Sequence, residues 1–358
     1  MSQWTGRGGR LQHALFRLAA WLLRPRRHDV DLARARIALL RFDRRLGEVL
    51  LQTPLFGALR ESLPRATLVA VTHPGLASLL LGQPDVDEVL PFGLRGFPFT
   101  LSSWRSLWRL GRARIDVAID CSNYTLLSTS HALATLLTRA PWRVGFARGT
   151  GASACFSQAV TPIAQEASER RQRLQLLMAL GIDGADRPMS FVPRAAVGPE
   201  LSALLHDVAA QPGRWAVLNP GGRLDWRRVP IELFVGAAQV LLEHGRQPVV
   251  VWGPGERELA TSICMSARGR ARLAPPTSVH ELAALLEAAG CTVTNNSGPM
   301  HLSIAVGAPT LALFKNMPVA RWGETAAPHA VVDVSDEDRA HEILLTALDG
   351  FLGRLESR

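Results

Sequence analysis

The feature that most constrains this chain is a repeated alternation. Short apolar runs each break into a glycine-bearing or polar loop, and a helical pattern follows. Ile37-Ala38-Leu39-Leu40 is the first such run, and Gly47 lies just beyond it. A helical pattern then passes through Leu50, Leu51, Leu55 and Leu59 toward Pro64, and Thr67 to Thr72 reads as the next strand. Strand, loop, helix and strand in that order predict a βαβ unit of a parallel sheet. Val86 to Leu90, residues 115–124 (a strand running into a polar loop), a helix at 129–139 and WRVGF at 142–146 continue the series.

Between Gly181 and Gly198 the long periodic elements stop, and a second series begins at WAVLNPGG, residues 215–222. A helix over Ile231–Leu242, PVVVWGPGE at 248–256, a helix from Ser278 to Ala289, a strand at Cys291–Thr294, a helix at Met300–Val306 and a strand at Thr310–Phe314 follow. Ser278 and Glu281 have the spacing of a capping box. These boundaries predict an amphipathic basic segment at 1–34, an N-terminal domain at 35–185, a linker region at 186–212 and a C-terminal domain at 213–335. A final helical stretch at 336–358 is expected to be able to pack back on the N-terminal domain. Open parallel sheets take ligands at the carboxyl ends of their strands, so the expected site is a cleft between the two domains.

Composition narrows the function. At 358 residues and 47% hydrophobic, the chain can bury a large core and is not disordered. Its net charge is +9, and Lys315 is the single lysine among 40 basic residues. Arginine presents a planar fork of donors suited to phosphate and carboxylate, so a phosphorylated substrate, a membrane surface or nucleic acid are the partners to weigh. Cys121, Cys155, Cys264 and Cys291 form no CxxC pair and suit neither a disulfide framework nor a zinc site. Residues 11–27 place Leu11, Leu15, Leu18 and Leu22 on one helical face, with Arg24, Arg26 and Arg27 behind them. That stretch is too short to span a bilayer. It fits a helix lying on an anionic membrane, or equally one packed on the protein's own body.

Several loops carry groups with chemistry. Glu48, in RFDRRLGEVLLQTP, sits where a loop enters a helix after the first strand. Such a carboxylate can take a proton from a hydroxyl if burial raises its pKa; it can also be an ordinary first-turn acid favoured by the helix dipole. TNNSGPMHL at 294–302 precedes a helix, and its free backbone N–H groups suit a pyrophosphate. His301 could add a hydrogen bond there, and Pro299 fits the first helical position. In NPGGRLDWRRVP at 219–230, Gly221 and Gly222 permit close backbone approach, and Arg223, Arg227 and Arg228 crowd the same loop. Glu256, ending WGPGE, either accepts from a ribose hydroxyl or caps its helix. No GxxxxGK[ST], no GxGxxG after the first strand, no HExxH and no GxSxG is present, which weighs against P-loop ATPase, dehydrogenase, metalloprotease and serine hydrolase readings.

These segments resemble the ADP-heptose:lipopolysaccharide heptosyltransferases, glycosyltransferase family nine. SGPMHL with the downstream AVGAPTLALF carries the most specific likeness, RLGEVLLQTPLFGALRESLP and LNPGGRLDWRRVPIELF carry the rest, and together they span about Ile37 to Gly323. The resemblance implies an α/β fold of two Rossmann-like domains facing across a cleft, the GT-B architecture. It implies an inverting transfer of a heptose-like sugar from an ADP-sugar to a lipopolysaccharide core acceptor. Glu48 falls on the family's general base. Gly221, Gly222, Arg223, Arg227, Glu256, Asn296, Ser297, Gly298, Met300 and His301 fall to the donor, and Arg44, Arg45 and Asn123 to the acceptor. No metal and no cofactor beyond the nucleotide-sugar is expected. The expected partners are that ADP-sugar and a phosphorylated glycolipid, with peripheral contact at the cytoplasmic face of the inner membrane and no nucleic acid. The chain departs from the family pattern at Glu48 and Asn296, each in place of an Asp, and at Lys315-Asn316-Met317. Two alternatives stay open: a weak or inactive relative that binds glycolipid or nucleotide-sugar, and a GT-B enzyme with another nucleotide-sugar, such as a UDP-sugar epimerase.

Overall fold

The computed structural model describes the chain except residues 1–6, 24–28, 96, 126–127, 148–154, 164–166, 185, 195–196 and 358, and of residues 7–13 and 15 it describes only the backbone. Contacts divide the chain into two compact units, Met1–Pro188 and Met189–Arg358.

In the first unit the strands are β1 (Arg36–Arg41), β2 (Thr67–Thr72), β3 (Glu88–Pro91), β4 (Val117–Asp120), β5 (Trp142–Phe146) and β6 (Gln158–Val160). They form one sheet in the order β3-β2-β1-β4-β5-β6, parallel throughout. Among the described residues the helices include α1 (Arg7–Leu22), α2 (Leu46–Leu50), α3 (Thr53–Ser62), α4 (Ala77–Leu80), α5 (Leu101–Arg112), α6 (Thr129–Leu137) and α7 (Glu169–Leu174). Ile37 and Leu39 pack with Leu55, Phe56 and Val144 on one face of the sheet. Ala38 and Leu40 pack with Val69, Phe92 and Leu110 on the other. A strand covered on both faces needs an unbroken apolar run, which is what Ile37–Leu40 supplies.

The second unit repeats the plan. Its strands are β7 (Trp215–Asn219), β8 (Gln247–Val250), β9 (Arg272–Leu273), β10 (Cys291–Asn295), β11 (Thr310–Phe314) and β12 (Ala330–Asp333), in the order β12-β11-β10-β7-β8-β9. The pairs are again parallel. Its helices are α8 (Pro199–Ala209), α9 (Ile231–Glu243), α10 (Arg257–Ser266), α11 (Val279–Ala288), α12 (Gly298–Ala305), α13 (Val319–Trp322) and α14 (Ala340–Glu356). Counted from its own first strand, each sheet runs 3-2-1-4-5-6, the doubly wound Rossmann order. The order reverses between β1 and β4 in the first unit and between β7 and β10 in the second. Such switch points open a crevice at the strands' carboxyl ends, and the candidate residues cluster at both.

The structure differs from the sequence reading in places. The stretch 186–212 is not a linker throughout: Phe191 N donates to Ala305 O at 2.9 Å, and α8 buries Leu201, Leu204 and Val208. Pro199 stands in the first turn of α8, where its missing N–H costs nothing. The C-terminal helix α14 packs on α9 of the second unit, with Leu344, Leu348, Phe351 and Leu352 in one core with Leu233 and Phe234. The helical pattern after Gly47 is two helices, because Pro54 restarts the chain in the first turn of α3. The short strands β6, β9 and β12, and helices α5 and α7, had no clear sequence signal. The capping box at Ser278 and Glu281 is formed.

Candidate functional site

Three loops meet at the carboxyl edge of the second sheet. They follow β7, β8 and β10, which are neighbours in the sheet order. Glu256, at the end of the β8 loop, accepts from Gly222 N at 2.8 Å through Oε1 and from Gly253 N at 2.9 Å through Oε2. It thereby ties the β7 loop to its own. Gly221 makes this approach possible: a Cβ there would lie 2.0 Å from Glu256 Oε2. Gly222 is under no such constraint, since its nearest neighbour would be Arg228 Cγ at 3.6 Å.

Two asparagines join the β7 and β10 loops. Asn219 donates through Nδ2 to Thr294 Oγ1 at 2.8 Å and to Ser297 Oγ at 3.2 Å. Asn295 donates to Pro220 O at 2.6 Å and accepts from Val229 N at 3.2 Å. Helix α12 then starts at Gly298 with no side-chain cap from Ser297. The first-turn amides of Gly298 and Met300, with the helix dipole behind them, form an arrangement that favours an anion. His301 is buried in that first turn, and the buried Asn296 Nδ2 has no protein acceptor. Arg228 is the arginine anchored in the β7 loop, donating to Gly222 O at 2.6 Å and pairing with Asp225 at 3.0 Å and Glu256 at 3.4 Å. Arg227 stacks 4.6 Å over the Trp226 ring, and Arg223 is exposed. Beside these loops a cavity of about 570 Å³ is lined by Glu200, Trp252, Arg257, Leu273, Pro275 and Pro276. Trp252 is held there by its indole N–H, which donates to Ala274 O at 2.9 Å.

The first unit carries a different site at its own switch point. Arg41, the last residue of β1, is buried and donates to Cys121 O just past β4 at 2.9 Å. Its Nη2 lies 2.7 Å from Asp43 Oδ2 and 2.9 Å from Glu48 Oε2. Arg173, on α7, donates to the carbonyl of Glu48 at 2.9 Å and to the Glu48 carboxylate, and it lies 3.5 Å from Glu169. Arg45, mostly exposed, stands 3.6 Å from Glu48 Oε1. Burial by itself pushes the Glu48 carboxyl up, but Arg173 and Arg41, with a smaller share from Arg45, overrule it and hold the pKa at about 2. Burial likewise opposes the charge on Arg173, and Glu48 and Glu169 overcome it, so Arg173 stays protonated more firmly than usual. Burial alone would lift Glu48 toward neutrality; the paired arginines reverse the sign.

Arg44 and Arg45 stand exposed on the same edge. Asn123, after β4, accepts through Oδ1 from both Thr125 N and Thr125 Oγ1 at 2.8 Å, which closes its loop. The sequence-predicted residues therefore fall into two groups, one per unit. Arg41, Arg173, Asn219 and Asn295 have no role assigned from sequence, whereas Arg228 belongs to the arginine-crowded loop that the sequence points to. The signal of the first four is modest: Arg41 and Asn219 are polar residues that directly end the apolar runs Ile37–Leu40 and Trp215–Leu218. Among the described residues no group of three His, Cys, Asp or Glu is placed to hold a metal ion. The four cysteines are free and buried, and burial pushes the thiols of Cys121 and Cys155 up to about 12 and that of Cys291 to about 11. Thiolate chemistry at neutral pH is therefore disfavoured at those three.

The chain is similar to known proteins across this region. It is 22% identical over 284 residues to lipopolysaccharide heptosyltransferase 2 of Salmonella typhimurium, covering 75% of this chain and 80% of that one. The solved glycosyl transferase family 9 protein of Veillonella parvula shares the fold with a TM-score of 0.76 at 19% identity, over 92% of this chain and all of that one. The E. coli heptosyltransferase WaaC, solved with ADP, matches with a TM-score of 0.71 at 19% identity, over 89% of this chain and 99% of its own. The model of glycosyltransferase family 9 (heptosyltransferase) matches residues 104–344, a span holding all three loops at the edge of the second sheet. With that match and two Rossmann-like units of the GT-B type, the chain belongs to glycosyltransferase family 9 and is a glycosyltransferase.

Proposed function

We propose that the protein catalyses inverting transfer of a heptose-like sugar from an ADP-sugar to a lipopolysaccharide core acceptor. The observation that carries this is the three-loop edge of the second sheet, where Glu256, Asn219 and Asn295 brace an uncapped α12 N-terminus within the family match. In this reading the diphosphate lies on the amides of Gly298 and Met300, with Ser297, Asn296, His301, Arg223 and Arg227 around it. The cavity beside Trp252 takes the nucleobase. Glu256 already accepts two backbone N–H groups, but a carboxylate has about four lone-pair sites, so it can also accept a ribose hydroxyl. The acceptor hydroxyl attacks the anomeric carbon, the bond to the diphosphate breaks, and ADP departs with the electron pair, its growing charge met by the α12 amides. The hydroxyl proton goes to Glu48, with Arg44, Arg45 and Asn123 holding the phosphorylated acceptor. The lysine-poor, arginine-rich charge and a glycolipid acceptor fit work at the cytoplasmic face of the inner membrane.

Titration calorimetry with ADP and UDP tests the donor side, and ADP release on mixing an ADP-heptose with lipopolysaccharide core acceptors tests the reaction. Tight ADP binding and acceptor-dependent ADP release are expected. Tight UDP binding without ADP binding would replace the donor with another nucleotide-sugar. One observation favours a second reading, a slow transferase that mainly binds its glycolipid. A carboxylate held at about 2 is a weak base, and proton transfer is most efficient when the base's pKa lies near working pH. Single-turnover transfer far slower than donor binding would support that reading.

A further inference from the structure

Helix α5 presents the wrong face to water. Its inner side sends Ser103 and Leu110 into the protein, with Leu107 packed against the same core. Its outer side carries Leu101, Trp104 and Trp108 at 66%, 52% and 58% exposure. Leu101, Trp104, Arg105, Trp108, Arg109 and Arg112 share one helical face at spacings of three and four, and all are exposed. The preceding loop adds Phe97 and Phe99, the latter 93% exposed. Exposed apolar residues scattered singly are ordinary, but a contiguous set of this size marks an interaction surface.

The patch is built rather than loose. Trp104 donates through its indole N–H to Pro98 O at 2.8 Å, and its ring lies 5.2 Å from that of Phe97. Thr100 Oγ1 and Ser103 Oγ both donate to Arg95 O, at 2.9 and 3.1 Å, fastening the loop to the helix start. Arg112 stands 4.5 Å over the Trp108 ring. From residue 89 to residue 115 the chain has Arg95, Arg105, Arg109, Arg112 and Arg114 and not one Asp or Glu. Arginines threaded among exposed tryptophans, phenylalanines and leucine match a surface that is anionic at its outer layer and apolar just beneath. Tryptophan favours that boundary, because its ring is apolar and its N–H is not. Helix α1 exposes Leu18, Trp21 and Leu22, and both α1 and α5 pack against α6. Among the described residues no helix is long and apolar enough to cross a membrane.

We propose that the α5 face with its 97–99 loop docks the protein on an anionic lipid bilayer, the Trp and Phe rings entering the interface and the arginines pairing with lipid phosphates. This rests on the reading that the enzyme works at a membrane, and not on the identity of donor or acceptor sugar. Co-sedimentation of the full chain with phosphatidylglycerol-containing vesicles and with phosphatidylcholine vesicles tests it, across a salt series. The wild type is expected to bind the anionic vesicles and to be released by salt. Three substitutions, Arg105→Gln, Arg109→Gln and Arg112→Gln, should together weaken binding by about a hundredfold, given roughly 1 kcal/mol for each basic residue at such a surface. Trp104→Ser with Trp108→Ser should cost at least about tenfold. Unchanged circular dichroism and melting would show that these exposed substitutions leave the fold intact. Wild-type vesicle binding that neither variant reduces would overturn the α5 assignment while leaving membrane contact standing. Failure of the wild type to bind anionic vesicles would overturn both, yet acceptor-dependent ADP release in detergent would still support the transferase reading. A dimer seen by light scattering that the tryptophan variant dissociates, with vesicle binding unaffected, would overturn the proposal in favour of a second copy on this face.

Discussion

Arg173 reaches back across 125 residues of sequence to hold Glu48 twice, at its carbonyl and at its carboxylate. The pair joins α7 to α2 at the switch point of the first sheet. Both residues are buried, so the bond carries a large desolvation cost that only the intact network offsets. Removing one partner strands the other. Arg173→Ala is expected to destabilise the protein by about 3–5 kcal/mol, read as a lower urea midpoint. Replacing both together, Glu48→Leu with Arg173→Met, removes that unpaired charge but takes a partner from buried Arg41 and Glu169, so it should recover only part of the loss while transfer stays absent. A double variant no more stable than Arg173→Ala alone would show that the pair's cost lies in shape rather than charge.

The same network sets a pH signature. Glu48 has its carboxyl lowered from the ordinary 4.5 to about 2. A depressed carboxyl stabilises the fold fully above its unfolded value, and that contribution is lost as pH falls through the folded one. Stability should therefore be flat with respect to Glu48 above about pH 5 and fall between about pH 4.5 and pH 2. In catalysis, the profile of kcat/KM should show no acidic limb from Glu48 between pH 5 and 8. Glu48→Gln should abolish transfer while leaving ADP affinity nearly intact, because the donor loops belong to the other unit. It should also lower the melting temperature, since Arg41 and Arg173 lose their shared counter-ion. A limb near pH 6 that Glu48→Asp shifts would show that the carboxylate titrates near neutrality during turnover.

Much of this was legible in the chain itself, and the reasons are physical. Strands β2 and β11 fall where their apolar runs do, because parallel strands covered on both faces need apolar side chains along their length. Glu48, Glu256 and the turn at Asn296–His301 were legible because they lie where the loops after strands enter helices. Their partners were not. Arg173 meets Glu48 only after the sheet has formed, and nothing near Arg173 in sequence sets it apart from the arginines at 170 and 171. Glu256 was read as a ribose acceptor or a cap; its role as a clamp depends on Gly221, which no periodicity reveals. Helix α5 was missed because its tryptophans lie where a helix in water would carry polar side chains.

Gly221 tests the proposed donor role of the second unit's loops directly. A methyl group there would overlap Glu256 Oε2 at 2.0 Å, and Glu256 has little freedom because it also holds Gly253 N at 2.9 Å. Gly221→Ala should push the β7 loop away from α12 and raise the donor KM by at least about tenfold, of the order seen when a binding group is misplaced by ~1 Å. Gly222→Ala meets only ordinary contacts and should change KM much less. Equal effects at the two glycines would mean that the clamp does not shape the donor site.

His244 offers a test at the opposite limb of the pH scale. It closes α9 onto α14, with Nε2 2.9 Å from Asp349 Oδ1 and Nδ1 3.3 Å from Glu356 Oε1. The hydrogen bond to Asp349 raises its pKa, burial opposes this, and Glu356 adds to the rise. A raised histidine stabilises the fold fully below its unfolded value near 6.5, and the contribution fades as pH climbs through the folded value. Solvent screens the pair, so the effect should stay below about 1 kcal/mol. The melting temperature should therefore drift down by a few degrees at most between pH 6 and 8, and His244→Gln should remove that drift while leaving transfer unchanged. A drift that persists in His244→Gln would assign it to another group.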